Sequence, residues 1–437
     1  MIYRIAIVAA LPLASAYTIS APAPSTAAVA RCASPVAIAD MIKPTLAMLG
    51  APAAGSKEEL GDQLPDCPTT IWEADALKGD EIARWQAQYR EEDLPVCPVE
   101  VHATAADNAK GADYFIENRD MIKELLAKHG TVWFRGFDLT KDTNGFRAFW
   151  EGLELDPCLD PIHSSGLRKF LSKRDALYEE VNKQSLSKHY IGLHQEMTEK
   201  RTATAGAFVC FKPATIKGGE FFICDGEKVF RDMDTEVLQQ LCERQVRISV
   251  SNLDLDALGV LPGATKEQAM DKVKEMVAEQ VAPKFDMDLD MIWGTDGRDM
   301  RLQAIEHAQP PVNLHPISKR PVWFCNMHNH ARFLRERRPC SVPEVGMTDV
   351  FFGNLDIIPG ELLAKVNEAC EKNIIKVPMQ PGDVLLCDNY RVLHGRDVFE
   401  GDRLHAVSWF GDGSTVRTET GGKSGFEGFI NKVVVGD

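Results

Sequence analysis

The stretch GDVLLCDNYRVLHGR, residues 382–396, decides the fold. Val384 to Cys387 form a short unbroken apolar run, as in a strand buried on both faces. Asp388, whose carboxylate can cap its own backbone, then turns the chain. The run beyond the turn delivers His394. Runs of the same kind recur: ATAGAFVCF (203–211), GEFFICDGEKVF (219–230), VRISVSN (246–252), RPVWFCN (320–326), NIIKVPM (373–379) and RLHAVSWFG (403–411). Ahead of them, FIENRDMIKELLAKHG (115–130) has helical spacing and ends on Gly130, TVWFRGFDL (131–139) reads as a buried strand, and TNGFRAFWEGL (143–153) is helical again. ATKEQAMDKVKEMVAEQV (264–281) is an amphipathic helical insertion. Short strands with helices before and between them predict an α+β chain with a mainly β core, a sandwich or barrel flanked by helices.

A second stretch, IGLHQEMTEK (191–200), sets His194 and Glu196 two residues apart. On an extended segment both point to one face, because side chains alternate with a period of two. The pair fits a proton shuttle, a half-built metal site or a surface salt bridge. His394 lies 200 positions later, and Arg403 nine positions beyond it. Two imidazoles and one carboxylate form the facial triad of non-haem Fe(II), which leaves coordination positions open. An arginine nearby offers a planar fork to a carboxylate, such as the far end of a dicarboxylic keto acid.

Length and composition set the frame. The chain has 437 residues, a formal charge of −15 and 44% hydrophobic residues, the profile of an ordinary globular protein. Its acidic balance opposes broad nucleic-acid binding. The eleven cysteines contain no CxxC pair and read as buried thiols rather than a disulfide or zinc framework. MIYRIAIVAALPLASA (1–16) has the layout of a signal peptide, and residues 17–48, rich in Ala, Ser and Pro, follow as a transit-like segment. That bipartite form, with Tyr17 at the junction, resembles presequences of algae with secondary plastids; a plain secreted protein is the alternative. Residues 49–100 read as an N-terminal extension, and 101–437 as one catalytic unit with no transmembrane segment in the mature chain.

Five segments in order resemble the clavaminate synthase and taurine dioxygenase branch of Fe(II)/2-oxoglutarate oxygenases: GTVWFRGFDL (130–139), LHQEMT (193–198), FKPATIKGGEFFICDGEKVF (211–230), LHPISKRPVWFCN (314–326) and QPGDVLLCDNYRVLHGRDVFEGDR (380–403). The resemblance implies a double-stranded β-helix (jelly roll). It implies Fe(II) held by His194, Glu196 and His394, and 2-oxoglutarate held at its C5 carboxylate by Arg403, with O2 as co-substrate. The reaction implied is hydroxylation or desaturation of an unactivated C–H in a small organic substrate. With the presequence, it points to a chlorophyll c synthase-like desaturation of a chlorophyll precursor's propionate; amino-acid or specialised-metabolite hydroxylation is the alternative. Two departures stand out: Phe221 follows GGE where many relatives carry Thr or Ser, and Arg403 comes at the short end of the family's spacing. Phe221 keeps open a jelly-roll protein that binds without catalysis.

Other motifs have plainer readings. Arg135 closes a strand end by an ion pair, Asp225 forms a turn, and His405 is a sheet residue. MHNHARF (327–333) resembles a metal-dependent nuclease motif, but it follows a strand of the oxygenase pattern and lacks a companion Cys pair. His328 and His330 are expected at the mouth of the active site.

Overall fold

The computed structural model describes residues 60–411 apart from 74–76, 164–168, 181, 183, 255–262, 281–288, 294–300 and 342–346. The expected signal and transit segments lie outside the described residues. No helix among the described residues is long and apolar enough to cross a membrane.

Helices Asp80–Glu91, Ala105–Lys110, Ala112–Glu117 and Arg119–His129 accompany the first two strands, β1 (Val99–His102) and β2 (Thr131–Arg135). The helix predicted over 115–130 is two helices meeting at Asn118, whose amide nitrogen donates to the Tyr114 carbonyl at 2.8 Å. An Asn side chain that bonds its own backbone competes with the helix ladder, and periodicity alone does not register this. Gly130 ends the second helix at φ 73°, the left-handed cap a glycine takes without strain.

After helix Thr143–Gly152 come β3 (Asp156–Cys158), β4 (Phe170–Ser172), β5 (Leu177–Glu179), β6 (Ile191–His194), β7 (Ala205–Lys212), β8 (Lys217–Gly218) and β9 (Phe221–Asp225). The strand predicted over 219–230 stops at Asp225. That residue caps helix Gly226–Asp232 by accepting from the Glu227 amide at 3.0 Å, so GEKVF is helical. Beyond helix Thr235–Arg244, β10 (Val246–Asp254), β11 (Leu289–Trp293) and β12 (Arg301–Glu306) flank the insertion helix Lys266–Gln280. Next come β13 (Val312–Leu314), β14 (Pro321–Trp323) and β15 (Val350–Phe352). Helix Gly360–Asn373 then leads into β16 (Ile374–Val377), β17 (Val384–Asp388), β18 (Val392–Arg396), β19 (Phe399–Glu400) and β20 (Leu404–Gly411).

One sheet runs β1-β2-β17-β7-β20-β5-β4, with β3 also on β20; a second runs β16-β9-β18-β6. Every pair in these two sheets is antiparallel except β1 with β2. The two sheets enclose one apolar layer, with Trp133, Phe208, Leu385, Val407 and Trp409 from the first and Phe221, Ile223, Val377 and Val392 from the second. The period of two along β20 sends Val407 and Trp409 into that layer. Ala406 and Phe410 point to the opposite face, against the N-terminal helices.

On that opposite face Phe115, Phe134 and Phe149 pack edge to face, with Phe149 at 4.8 Å from Phe115 and 5.2 Å from Phe134 between ring centroids. Truncating such a buried ring removes its transfer energy and leaves a cavity. Phe149→Ala is therefore expected to lower unfolding stability by about 3–5 kcal/mol, read from the urea midpoint at unchanged slope.

Candidate metal centre

β6 and β18 are antiparallel neighbours whose register sets His394 opposite His194. Directly opposed residues share a face, and the two ring centroids lie 4.3 Å apart at 51°. Glu196 arrives by a different route from the one expected. The strand ends at His194, and Glu196 sits in a bend two residues on. One ligand atom from each of the three lies within 4.8 Å of the others, and all three residues are buried. The Nδ1 of His194 stands 2.9 Å from the Gly192 carbonyl. A carbonyl only accepts, so Nδ1 carries the proton and Nε2 keeps its lone pair for a ligand. Two imidazoles and a carboxylate, buried and convergent, fit a divalent iron that keeps positions open.

The Glu196 bend is held from its backbone. Asn389, in the short turn that carries the chain from β17 in one sheet to β18 in the other, accepts from the Glu196 amide at 3.0 Å and donates to the Glu196 carbonyl at 3.0 Å and the Ala203 carbonyl at 2.8 Å. It is buried and adjoins Asp388, which caps this turn through the Tyr390 amide at 3.1 Å. On its other side, β6 is the free edge of its sheet. Helix Met327–His330 covers that edge with side chains. Asn329 accepts from the Gly192 amide at 3.0 Å, His328 from the Leu193 amide at 2.8 Å and Asn326 from the Gln195 amide at 2.8 Å. Edge amides without partners invite further strands; here three side chains take the place of one. A Cβ on Gly192 would stand 2.8 Å from both the Asn329 Cα and the His328 carbonyl, so only glycine admits the helix this closely. His328 and His330 are therefore buried supports rather than residues of an open mouth. His328 accepts from strand backbone, and His330 meets the Thr348 hydroxyl at 3.1 Å.

Around His394 the interior is aromatic. Phe208 lies at 4.7 Å, and Trp409 and Phe221 both at 6.0 Å, between ring centroids. Phe221 lies parallel to the imidazole, within 8°, and also packs on Phe208 at 4.6 Å. It packs alongside the His394 imidazole and offers no hydroxyl. Arg403, just before β20, is 4% exposed. Its Nε donates to the Gly219 carbonyl at 3.2 Å, and its Nη1 to the Glu180 carbonyl at 3.1 Å and to Asn182 Oδ1 at 3.0 Å. Its Nη2 has no hydrogen-bond partner among the described residues. Gly219, at φ 75°, makes room for it, since a Cβ there would sit 3.2 Å from Arg403 Cδ. Burial draws the guanidinium down to about 10, with Glu180 opposing, so it stays cationic at neutral pH. An unbonded cationic N–H in a dry interior fits the terminal carboxylate of a keto acid.

Arg396 was not singled out in the sequence, although it stands two residues from His394 on one strand and so shares its face. It is buried, bonds the Leu186 and His189 carbonyls at 2.9 and 3.1 Å, and has an unbonded Nε among the described residues. Burial and the neighbouring Arg403 bring it down to about 9. His405 lies in β20 as expected, buried in the same interior. Arg135 pairs with Glu100 at 2.9 Å at its strand end, also as expected.

Behind the Glu196 bend, Met197, Thr198, Glu306, Gln309, Asn326 and His330 line a small cavity. Burial and then the charge of Glu199 push the Glu306 carboxyl up to about 8, against a hydrogen bond from Gln309. A raised folded-state value means stability fully present below the ordinary carboxylate range and lost as pH rises through about 8. Urea midpoints taken from about pH 5 to about pH 9 should fall more steeply for the wild type than for Glu306→Gln, which has no proton to lose there. Asn389→Ala is expected to weaken Fe(II) binding roughly 10- to 100-fold, the usual cost of losing an outer-shell partner. Asn389→Asp keeps the acceptor for the Glu196 amide and should fall between, as read by anaerobic Fe(II) titration.

Comparison with known proteins agrees with this chemistry. The description "Taurine catabolism dioxygenase TauD, TfdA family" matches residues 96–409. The dapdiamide synthesis protein DdaC of Enterobacter agglomerans is 24% identical over 324 residues, 70% of this chain and 89% of its own. A clavaminate synthase-like protein of Arabidopsis thaliana is 26% identical over 286 residues, 64% of this chain and 82% of its own. Among solved structures, an asparagine oxygenase in complex with Fe(II), hydroxyasparagine and succinate is 11% identical, covers 71% of this chain and 93% of its own, and has a TM-score of 0.42. The match across residues 96–409 covers most of the chain, and the protein accordingly belongs to the TauD/TfdA family of Fe(II)- and 2-oxoglutarate-dependent dioxygenases.

Proposed function

We propose that His194, Glu196 and His394 hold the catalytic iron in a jelly-roll core, that Arg403 holds the C5 carboxylate of 2-oxoglutarate, and that the enzyme desaturates the propionate side chain of a chlorophyll precursor in an algal plastid. The observation that carries the assignment of residues is the convergence of three buried ligand atoms within 4.8 Å. The buried, incompletely bonded guanidinium of Arg403 supports the second. Iron bound there supplies the oxidising chemistry, coupling O2 and the conversion of 2-oxoglutarate to succinate and CO2 to removal of two substrate hydrogens as water.

This chain's own residues bind, orient and exclude. His194 presents Nε2 because Nδ1 is committed to the Gly192 carbonyl. Phe208, Phe221 and Trp409 crowd His394 and keep water from the reacting centre. The plastid reading rests on the layout of residues 1–48. The similarity to DdaC, named for dapdiamide synthesis, favours a second reading, hydroxylation of an amino acid or specialised metabolite.

Succinate release with each candidate substrate distinguishes the two readings, since only a true substrate couples to it. Residues 1–48 fused to a fluorescent protein should reach the plastid in an alga with secondary plastids; secretion would refute the targeting. Adding Fe(II) and then 2-oxoglutarate anaerobically should raise the visible charge-transfer band of a chelated keto acid. His394→Ala should abolish it. Arg403→Ala should keep iron but raise the 2-oxoglutarate requirement by about 2 kcal/mol or more, roughly 30-fold. A wild-type protein without the band would instead favour a binding role.

A further inference from the structure

Residues 64–73 precede the span matched by the family, which begins at residue 96. They nevertheless run along the segment that leaves the metal centre. After Glu196 the chain makes a tight turn: Met197 bridges Thr202, the Thr198 amide donates to the Arg201 carbonyl at 2.7 Å, and the Thr198 hydroxyl accepts from the Arg201 amide at 3.0 Å. The returning limb of that turn pairs with the N-terminal segment. Thr69 bridges Arg201 in antiparallel fashion, the Thr202 amide donates to the Pro68 carbonyl at 2.9 Å, and the Thr70 amide donates to the Lys200 carbonyl at 2.8 Å.

Side chains add to the pairing. The Thr70 hydroxyl lies 2.7 Å from that of Thr202 and 3.3 Å from the Thr198 carbonyl. Arg201 donates to the Cys67 carbonyl at 2.9 Å, and the Trp72 indole to the Glu199 carbonyl at 3.0 Å. Further along, the Ile71 amide donates to the Tyr390 hydroxyl at 3.0 Å, and the Glu73 amide to Asn313 Oδ1 at 2.7 Å. Thr70, Thr198 and Thr202 are all buried.

We propose that this strap is a working part of the metal centre in this protein: Thr70 and Trp72 are positioning residues that hold the 197–202 turn, and through it the Glu196 carboxylate, in the geometry that binds iron. The turn leaves Glu196 by one residue. Asn389 closes its base, bonding the carbonyls of both Glu196 and Ala203, while the strap fixes the tip and the returning strand. A short turn closed at its base alone still rocks about that base. Two clamps define the direction of the carboxylate, and a ligand held in place binds metal without the entropic cost of ordering it.

The test compares full-length wild type with Thr70→Val, which removes the hydroxyl contacts, with Trp72→Phe, which keeps the ring but not the N–H, and with Thr70→Ser, which keeps the hydroxyl. Amide hydrogen exchange of the metal-free protein should accelerate across residues 197–202 by roughly tenfold in Thr70→Val and less in Trp72→Phe, on the scale of one or two lost hydrogen bonds. The Fe(II) dissociation constant should rise with it, by roughly three- to tenfold. Thr70→Ser should restore both. The proposal is overturned if exchange across 197–202 and iron affinity stay at wild-type values while the melting temperature falls, because the strap would then be structural only. Should Thr70→Val not fold, Trp72→Phe, which preserves the ring packing on Phe324, decides the same question alone.

Discussion

The pairing of β6 with β18 is the constraint on which the site rests. In an antiparallel ladder a shift of one residue turns every side chain to the other face, and His394 would then point away from His194. The structure holds this register from several sides. Gly395 lies so close to Phe222 and to the Ile191 carbonyl that a Cβ there would stand 2.2 Å from the ring and 2.5 Å from the oxygen. In the turn between β17 and β18 Arg391 pairs with Asp225 at 2.7 Å, both nearly inaccessible, and donates to the Lys128 carbonyl at 3.0 Å. A buried pair of this kind adds little net stability against an apolar alternative, but moving it out of place strands two charges. It acts here as a peg for alignment.

Much of this was legible in the sequence because it is local. The apolar run of residues 384–387, the turn at Asp388 and the glycine stop at Gly130 each declare themselves within a few residues. His194, Glu196 and His394 were offered as a candidate ligand set, and Arg403 as a carboxylate partner, by residue type, spacing and the family resemblance, and the fold brings the first three together in a buried cluster. What stayed hidden depends on partners far along the chain. Asn389 reads as a turn residue, and only the fold brings it 3.0 Å from Glu196. Arg396 reads as one more surface cation until its strand is seen buried on both faces. The helix break at Asn118 and the early end of β9 at Asp225 are contests between periodicity and a side chain that bonds backbone, and the side chain wins both.

MHNH shows the converse, a motif that looks like chemistry and serves as structure. Its histidines and asparagine have the donor and acceptor atoms that metal sites use, yet His328 and Asn329, with Asn326 just ahead of the motif, spend theirs on the backbone of β6 and of the residue that follows it. Residue types announce what a side chain can bond, whereas the fold determines whether it meets an ion or an amide. The same holds for Phe221, a departure from the polar residue of many relatives, which has become a wall for the imidazole it faces.

The residues of the candidate metal centre come from segments separated by about 200 positions, and the large sheet places β17, from residues 384–388, between β2 and β7. A chain growing from the ribosome therefore carries β6 and β7 through the synthesis of roughly 170 further residues before the strands that flank them in the sheets are made. Through that interval their apolar edges are exposed to aggregation. An iron held by His194, Glu196 and His394 would be captured only by a nearly finished polypeptide, so its loading would mark completed folding instead of guiding it.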